Sequence, residues 1–97
     1  MLNKNEIIQT LSSFVKLNKD RYAIIRIGIF GSVARGSMND QSDIDIVVEL
    51  GKPDLFYLIG IKQDLEEKLH RPVDIVRYRD KMNAFLKKRI DKEAIYV

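Results

Sequence analysis

The sequence predicts an α+β domain, a small mixed sheet with helices packed mainly on one side. Three observations predict it. Short β-branched runs alternate with longer stretches in which apolar residues recur at helical spacing. Both prolines, Pro53 and Pro72, fall at the junctions between such segments. A polar loop joins the first two β-branched runs and a helical stretch joins the second to the third, which allows a parallel pairing at the last step. At 97 residues the chain is expected to form one domain, 1–97, with a core large enough to stand without staples.

Residues 4–18 carry Ile7, Leu11, Phe14 and Val15 at helical spacing, and Asn3 with Glu6 resembles a capping box. Residues 24–30 are rich in isoleucine and alternate, which predicts a strand. Gly31-Ser32 breaks it, and 32–37 is expected to form a short helical turn. A polar loop, 38–42, leads to a second strand over 43–50, with Ile44, Ile46 and Val48 on one face and Asp43, Asp45 and Val47 on the other. After Gly51-Lys52-Pro53, Asp54 is a good N-cap for a helix over 55–69, with Leu55, Leu58, Ile59, Leu65 and Leu69 expected on one face. Pro72 leads into a third strand, 73–77. Asp80 is expected to cap a last helix that turns Met82, Phe85, Leu86 and Ile90 inward, and 94–97 to be a short extended piece.

Composition excludes several functions. Without cysteine there is no disulfide framework, thiolate metal site or thiol nucleophile. No apolar run approaches the roughly 20 residues that span a bilayer, and residues 1–6 lack a signal-peptide core. A cytoplasmic protein with no membrane association is expected. A net charge of +3 is too small to mark a nucleic-acid binder, so direct binding of nucleic acid is not expected. Segment 77–92 nevertheless holds seven Lys or Arg against two Asp. It reads as a solvated helix face, or as a surface for an acidic protein partner or a polyanion.

The chemistry concentrates between residues 31 and 74. On a strand, Asp43 and Asp45 share a face, roughly 6.6 Å apart along the backbone. Like charges so placed resist desolvation unless a cation joins them, and oxygen donors without His or Cys suit Mg2+ or Mn2+. The bland reading is a solvated strand face. Asp74 stands in the apolar run Val73-Asp74-Ile75-Val76, where strand interiors disfavour Asp. It is either an edge-strand acid facing water or the third member of a carboxylate cluster able to hold two metals about 3.5–4 Å apart. Gly31 and Ser32 form an ordinary turn or a phosphate cradle, since glycine lets a backbone come close to phosphate. Arg35 lies within a helical turn of Ser32. It is expected either to neutralise phosphate or to pair with Asp40 or Asp43. His70 reads as a helix C-terminal cap or surface group, and Tyr57 and Tyr78 as packing residues rather than base-stacking ones.

The order of these parts is specific: strand, Gly31-Ser32-x-Ala34-Arg35-Gly36, polar loop, Ser42-Asp43-x-Asp45 on a second strand, then Asp74 on a third. It resembles the DNA polymerase beta-like nucleotidyltransferase superfamily and, within it, the minimal MntA-type nucleotidyltransferases, over nearly the whole chain. The resemblance implies that Gly31, Ser32, Arg35 and Ser42 bind the nucleotide, and that Asp43, Asp45 and Asp74 bind two Mg2+ ions, with Mn2+ as a substitute. Asp74 would also help deprotonate a hydroxyl that attacks the α-phosphorus of ATP and releases pyrophosphate. Larger members carry a second, helical domain for the acceptor. Here that wall is expected from a second copy or a partner subunit. The minimal proteins are typically encoded beside a HEPN-domain ribonuclease toxin, and similar antitoxins transfer AMP to a tyrosine of that toxin. Two alternatives stay open: an antitoxin that neutralises by binding alone, and a catalytic subunit acting on a small, aminoglycoside-like molecule. The base preference for adenine rests on the resemblance alone.

Overall fold

Asn3 opens the first helix as expected: its side chain accepts the Glu6 N–H at 2.9 Å, and α1 (Lys4–Asn18) buries Ile7, Leu11 and Phe14. The computed structural model describes residues 2–39 and 41–97. The remaining elements are β1 (Ile24–Phe30), α2 (Gly31–Arg35), β2 (Ile44–Leu50), α3 (Leu55–Leu69), β3 (Val73–Arg77), α4 (Ala84–Glu93) and β4 (Ile95–Tyr96). They form a four-stranded sheet in the order β3-β2-β1-β4. β1 runs antiparallel to both β2 and β4, and β2 runs parallel to β3. The crossover through α3 therefore gives the parallel pairing that its length allows.

Alternation divides the sheet into two faces. Ile27, Ile29, Ile44, Ile46, Val48 and Val73 pack in one core with the buried residues of α1 and with Ile61, Leu65 and Leu69 of α3. On the opposite face Phe30, Val47 and Ile90 form a smaller core, flanked by Val76, Leu86 and Tyr96. The two long helices thus share one side and α4 covers part of the other. The acids lie on the α4 side.

The structure corrects the sequence reading in several places. The extended tail is a fourth strand, because Gly28 and Ile29 pair with Tyr96 and Ile95. Glycine at 28 permits it: a β-carbon there would strike the Ile95 carbonyl oxygen. The last helix begins later than expected. Asn83, not Asp80, is its N-cap, accepting the Leu86 N–H at 3.0 Å. Asp80 is solvent-exposed and lies 3.6 Å from Lys87. Phe85 was expected inward but is 82% exposed, and Met82 packs on the smaller core from ahead of the helix. At about 100° per residue Phe85 lies about 140° from Ile90, whereas Leu86 lies about 40° from it. In α3 the inward stripe is Ile61, Leu65 and Leu69, with Leu58 half-buried, while Leu55 and Ile59 are exposed. Ile59, six residues before Leu65, is turned about 120° away.

The displaced cap has a measurable consequence. Asn83→Ala lowers unfolding stability by about 1 kcal/mol, whereas Asp80→Ala changes it by less than about 0.5 kcal/mol, the ordinary range for a surface site. Urea denaturation midpoints separate the two. Equal losses would contradict the cap.

Among the described residues no helix is long and apolar enough to cross a membrane.

Candidate active site

Asp45 sits where three elements meet. It is the register partner of Phe30 across the antiparallel pair and of Asp74 across the parallel pair. Adjacent strands lie about 4.8 Å apart, so Asp45 and Asp74 leave the same face of neighbouring strands. Asp74 is an exposed acid on the edge strand, as the first of its two readings expects, and its backbone is the lateral neighbour of Asp45. Asp43 precedes β2 and is exposed. Among the described residues no group of three or more acids is gathered tightly enough to hold a metal ion. The sheet aligns the backbones of two of the acids and leaves the third on the approach to β2.

Burial raises the Asp45 pKa above the ordinary carboxylate value, and the charge of Asp74 raises it further. Asp43 adds a smaller push, and Arg89 and Arg35 pull the other way.

Gly31 touches the same carboxylate. Its φ is +69°, and a β-carbon added there would collide with Asp45 Oδ2. Only glycine satisfies both the left-handed backbone and the missing space. From Gly31 the chain enters α2, and Gly36, at φ +77°, ends that turn. Ser32 is half-buried, and its carbonyl accepts the Ser37 N–H at 2.9 Å.

The sequence reading missed Glu93. The Gly31 N–H donates to Glu93 Oε2 at 3.2 Å. Arg35 Nη1 donates to Oε2 at 3.1 Å and to Oε1 at 3.2 Å. Arg89 Nε lies 3.5 Å from Oε2. Burial alone would raise the Glu93 pKa, but the Gly31 N–H and the two guanidinium groups outweigh it and hold the carboxyl below its usual value. Arg35 was expected on phosphate, Asp40 or Asp43; in the structure it pairs with Glu93, and Asp40 lies outside the described residues. The i,i+4 spacing of Arg89 and Glu93 was visible in sequence. Their meeting with Gly31, sixty-two residues from Glu93, was not.

The loop before β2 is pinned locally. Ser42 Oγ accepts the Asn39 N–H at 3.2 Å, and the Arg71 guanidinium donates to the carbonyls of Asn39 and Ser42. Ser42, expected at the nucleotide, shapes the turn that delivers Asp43. His70 is the C-cap of α3, with φ +55° and its N–H on the Glu66 carbonyl at 2.9 Å. Tyr57 packs edge-on against Tyr22, and the Tyr78 hydroxyl donates to Asp91 Oδ1 at 2.8 Å. All three match their non-catalytic readings.

A family model described as the nucleotidyltransferase domain matches residues 11–97. The chain belongs to that family. This nucleotidyltransferase is 33% identical over 98 residues to protein adenylyltransferase MntA of Thermococcus cleftensis, covering 100% of this chain and 98% of the relative. It is 35% identical over 100 residues to a Methanocaldococcus jannaschii chain whose provisional name is protein adenylyltransferase, covering both chains completely. Among solved structures it superposes on one described, also provisionally, as a minimal nucleotidyltransferase, with TM-score 0.79, 30% identity and coverage of 97% and 95% of the two chains. A toxin–antitoxin crystal structure with AMP-PNP matches with TM-score 0.73 and 27% identity, covering 98% of this chain and 72% of that one.

The acids of this nucleotidyltransferase have the donor chemistry that suits a hard divalent cation, although among the described residues they are not gathered into a metal site. Asp43, Asp45 and Asp74 offer carboxylate oxygens only, the donor set that suits Mg2+.

Proposed function

We propose that this nucleotidyltransferase is the antitoxin of a toxin–antitoxin pair, and that it transfers AMP from ATP to a tyrosine hydroxyl of a HEPN ribonuclease. One observation carries the reading: the Asp45 carboxylate lies between the Gly31 turn on one side and Asp74 on the other. That arrangement supports a site in which groups able to donate to phosphate stand beside acids. The Thermococcus relative, named a protein adenylyltransferase, and the toxin–antitoxin structure with AMP-PNP support the choice of chemistry.

In this reading the Gly31 N–H, the Ser32 hydroxyl and Arg35 hold phosphate oxygens, and Ser42 supports the loop behind them. Asp43, Asp45 and Asp74 hold Mg2+, which when bound neutralises the triphosphate and lowers the cost of the departing charge. Asp74, on the open side, takes the proton of the acceptor hydroxyl. The hydroxyl oxygen forms a bond to the α-phosphorus, the bond from that phosphorus to the α–β bridging oxygen breaks, and pyrophosphate leaves. The partner protein supplies the orientation of the tyrosine. The whole operates as a single cytoplasmic domain, residues 1–97.

The test mixes the protein with its co-encoded partner, ATP labelled at the α-phosphate, and Mg2+. Label appears on a partner tyrosine, located by mass spectrometry, and chelation of the metal abolishes it. No label, or equal labelling by Asp43→Ala/Asp45→Ala, rejects catalysis. If that double variant also protects cells as well as the wild type, the protein neutralises by binding. Label on small hydroxyl compounds alone would move the acceptor to the aminoglycoside class.

A further inference from the structure

Two of the donors expected to meet the triphosphate, the Gly31 N–H and the Arg35 guanidinium, already have an anionic partner from within the chain. Glu93, on the last turn of α4, receives the Gly31 N–H and the Arg35 guanidinium through a carboxylate whose side chain is 20% exposed. Arg89, one helical turn earlier, stands on the same oxygen at 3.5 Å. A carboxylate and a phosphate offer the same feature to such donors: a pair of negatively charged oxygens that accept charge-assisted hydrogen bonds. The two cannot share one backbone N–H and one guanidinium edge at full strength.

We infer that Glu93 is a built-in stand-in for nucleotide phosphate, which holds the Gly31 N–H and Arg35 in place in the free protein and must swing out for triphosphate to enter. The inference rests on the functional reading above and adds a residue that sets nucleotide affinity. Two physical consequences follow. The free protein never leaves the buried Gly31 N–H unpaired, and Arg35 is oriented before the nucleotide arrives. The cost is competition: part of the binding energy of the triphosphate is spent on displacing an intramolecular carboxylate. The same competition acts in reverse on pyrophosphate. Glu93 can return to its donors as the product departs, so the device shortens product residence as well as weakening substrate binding. Arg89 lies on α4 with Glu93 and can stay with it when it moves, whereas Arg35 is released to the ligand.

The test compares wild type with Glu93→Gln, which keeps the shape and one acceptor oxygen but removes the charge. Titration with pyrophosphate and with AMP-PNP is followed by calorimetry. The expected result is binding tighter by about tenfold, the size of one charge-assisted hydrogen bond no longer contested. The KM for ATP falls correspondingly while kcat does not rise. If Glu93 only pins α4 to the sheet, the variant melts earlier and binds these ligands no better, which overturns the inference. Glu93→Asp, too short to span the same donors, is the second variant and is expected to tighten binding in the same direction. A third measurement needs no variant: the side-chain carboxyl 13C resonance of Glu93 shifts when wild type is saturated with pyrophosphate. No shift with pyrophosphate bound overturns the inference. Failure of the nucleotide-binding part of the functional reading looks different, because wild type and both variants then bind neither ligand and both proposals fall together; a change of acceptor alone leaves the binding comparison intact.

Discussion

Asp45→Asn lowers AMP transfer on the order of 10³-fold, the scale on which losing one charge-stabilising group at a reacting centre is felt, and it does so without unfolding the protein. The side chain keeps its volume and its contact with Gly31, so the sheet is not disturbed. The effect on stability has the opposite sign to the effect on activity. In the folded protein the Asp45 pKa is raised, by burial first and by Asp74 second. A carboxyl with a raised folded-state pKa contributes stability that is fully present below its unfolded-state value and is lost as pH rises through the folded-state value. At neutral pH the wild type has therefore lost that contribution, and the asparagine variant, which cannot ionise, has not. Thermal melts without divalent metal show the variant at least as stable as wild type at pH 7. The difference between them shrinks as the pH falls below the carboxylate range. A variant less stable than wild type at pH 7 would mean that Asp45 holds the fold together, and the catalytic assignment would lose its main support. Adding Mg2+ reverses the ranking, because the ion stabilises only the protein that retains its three acids.

Gly31→Ala destabilises the protein by about 2–5 kcal/mol. About 1–2 kcal/mol comes from placing a β-carbon residue in the left-handed region, and about 1–3 kcal/mol from forcing a methyl group into occupied space. The occupied space belongs to the Asp45 carboxylate. The collision therefore acts on the reaction as well as on the fold: relief requires either Asp45 to leave its position or the turn to shift away from it. At about 4–8 °C per kcal/mol for a domain of this size, the melting temperature falls by about 8 °C or more. Transfer is lost even at temperatures where the variant remains folded. Gly36→Ala is the control. Gly36 is also left-handed, at φ +77°, but nothing lies within 4 Å of a β-carbon there. It carries the backbone cost alone and leaves transfer measurable. If the two variants behave alike, the contact between Gly31 and Asp45 has no bearing on catalysis.

How far the sequence reveals this molecule depends on the range of each interaction. Alternation over 43–50 correctly separates the Asp45 face from the Ile44–Ile46–Val48 face, because side-chain direction on a strand is a local property. The caps at Asn3 and Asp54 are local too, and both are present. The start of α4 is a local problem with two acceptable answers three residues apart, Asp80 and Asn83; the outward turn of Phe85 follows from its helical phase relative to Ile90 wherever the helix begins. The strand status of Ile95 and Tyr96 depends on Gly28, far away in the chain, which provides the room for them. Glu93 is the clearest omission. Its role arises from contacts with Gly31 and Arg35, and no periodicity joins residues 62 and 58 positions apart. Family resemblance named the acids and the turn but not this internal competitor. The alignment of Asp45 with Asp74 needed the register of β2 on β3, which composition does not encode.

Exposure across the sheet is graded: Gly31 is buried, Asp45 half-buried and Asp74 open to solvent. In the proposed reaction ligand traffic is consequently one-sided: a small phosphate-bearing molecule seats itself against the deep wall, whereas whatever receives the transferred group needs only to reach the rim above β3. A bulky folded acceptor is therefore no harder to accommodate than a free metabolite, and the catalyst requires no pocket shaped to the acceptor's body.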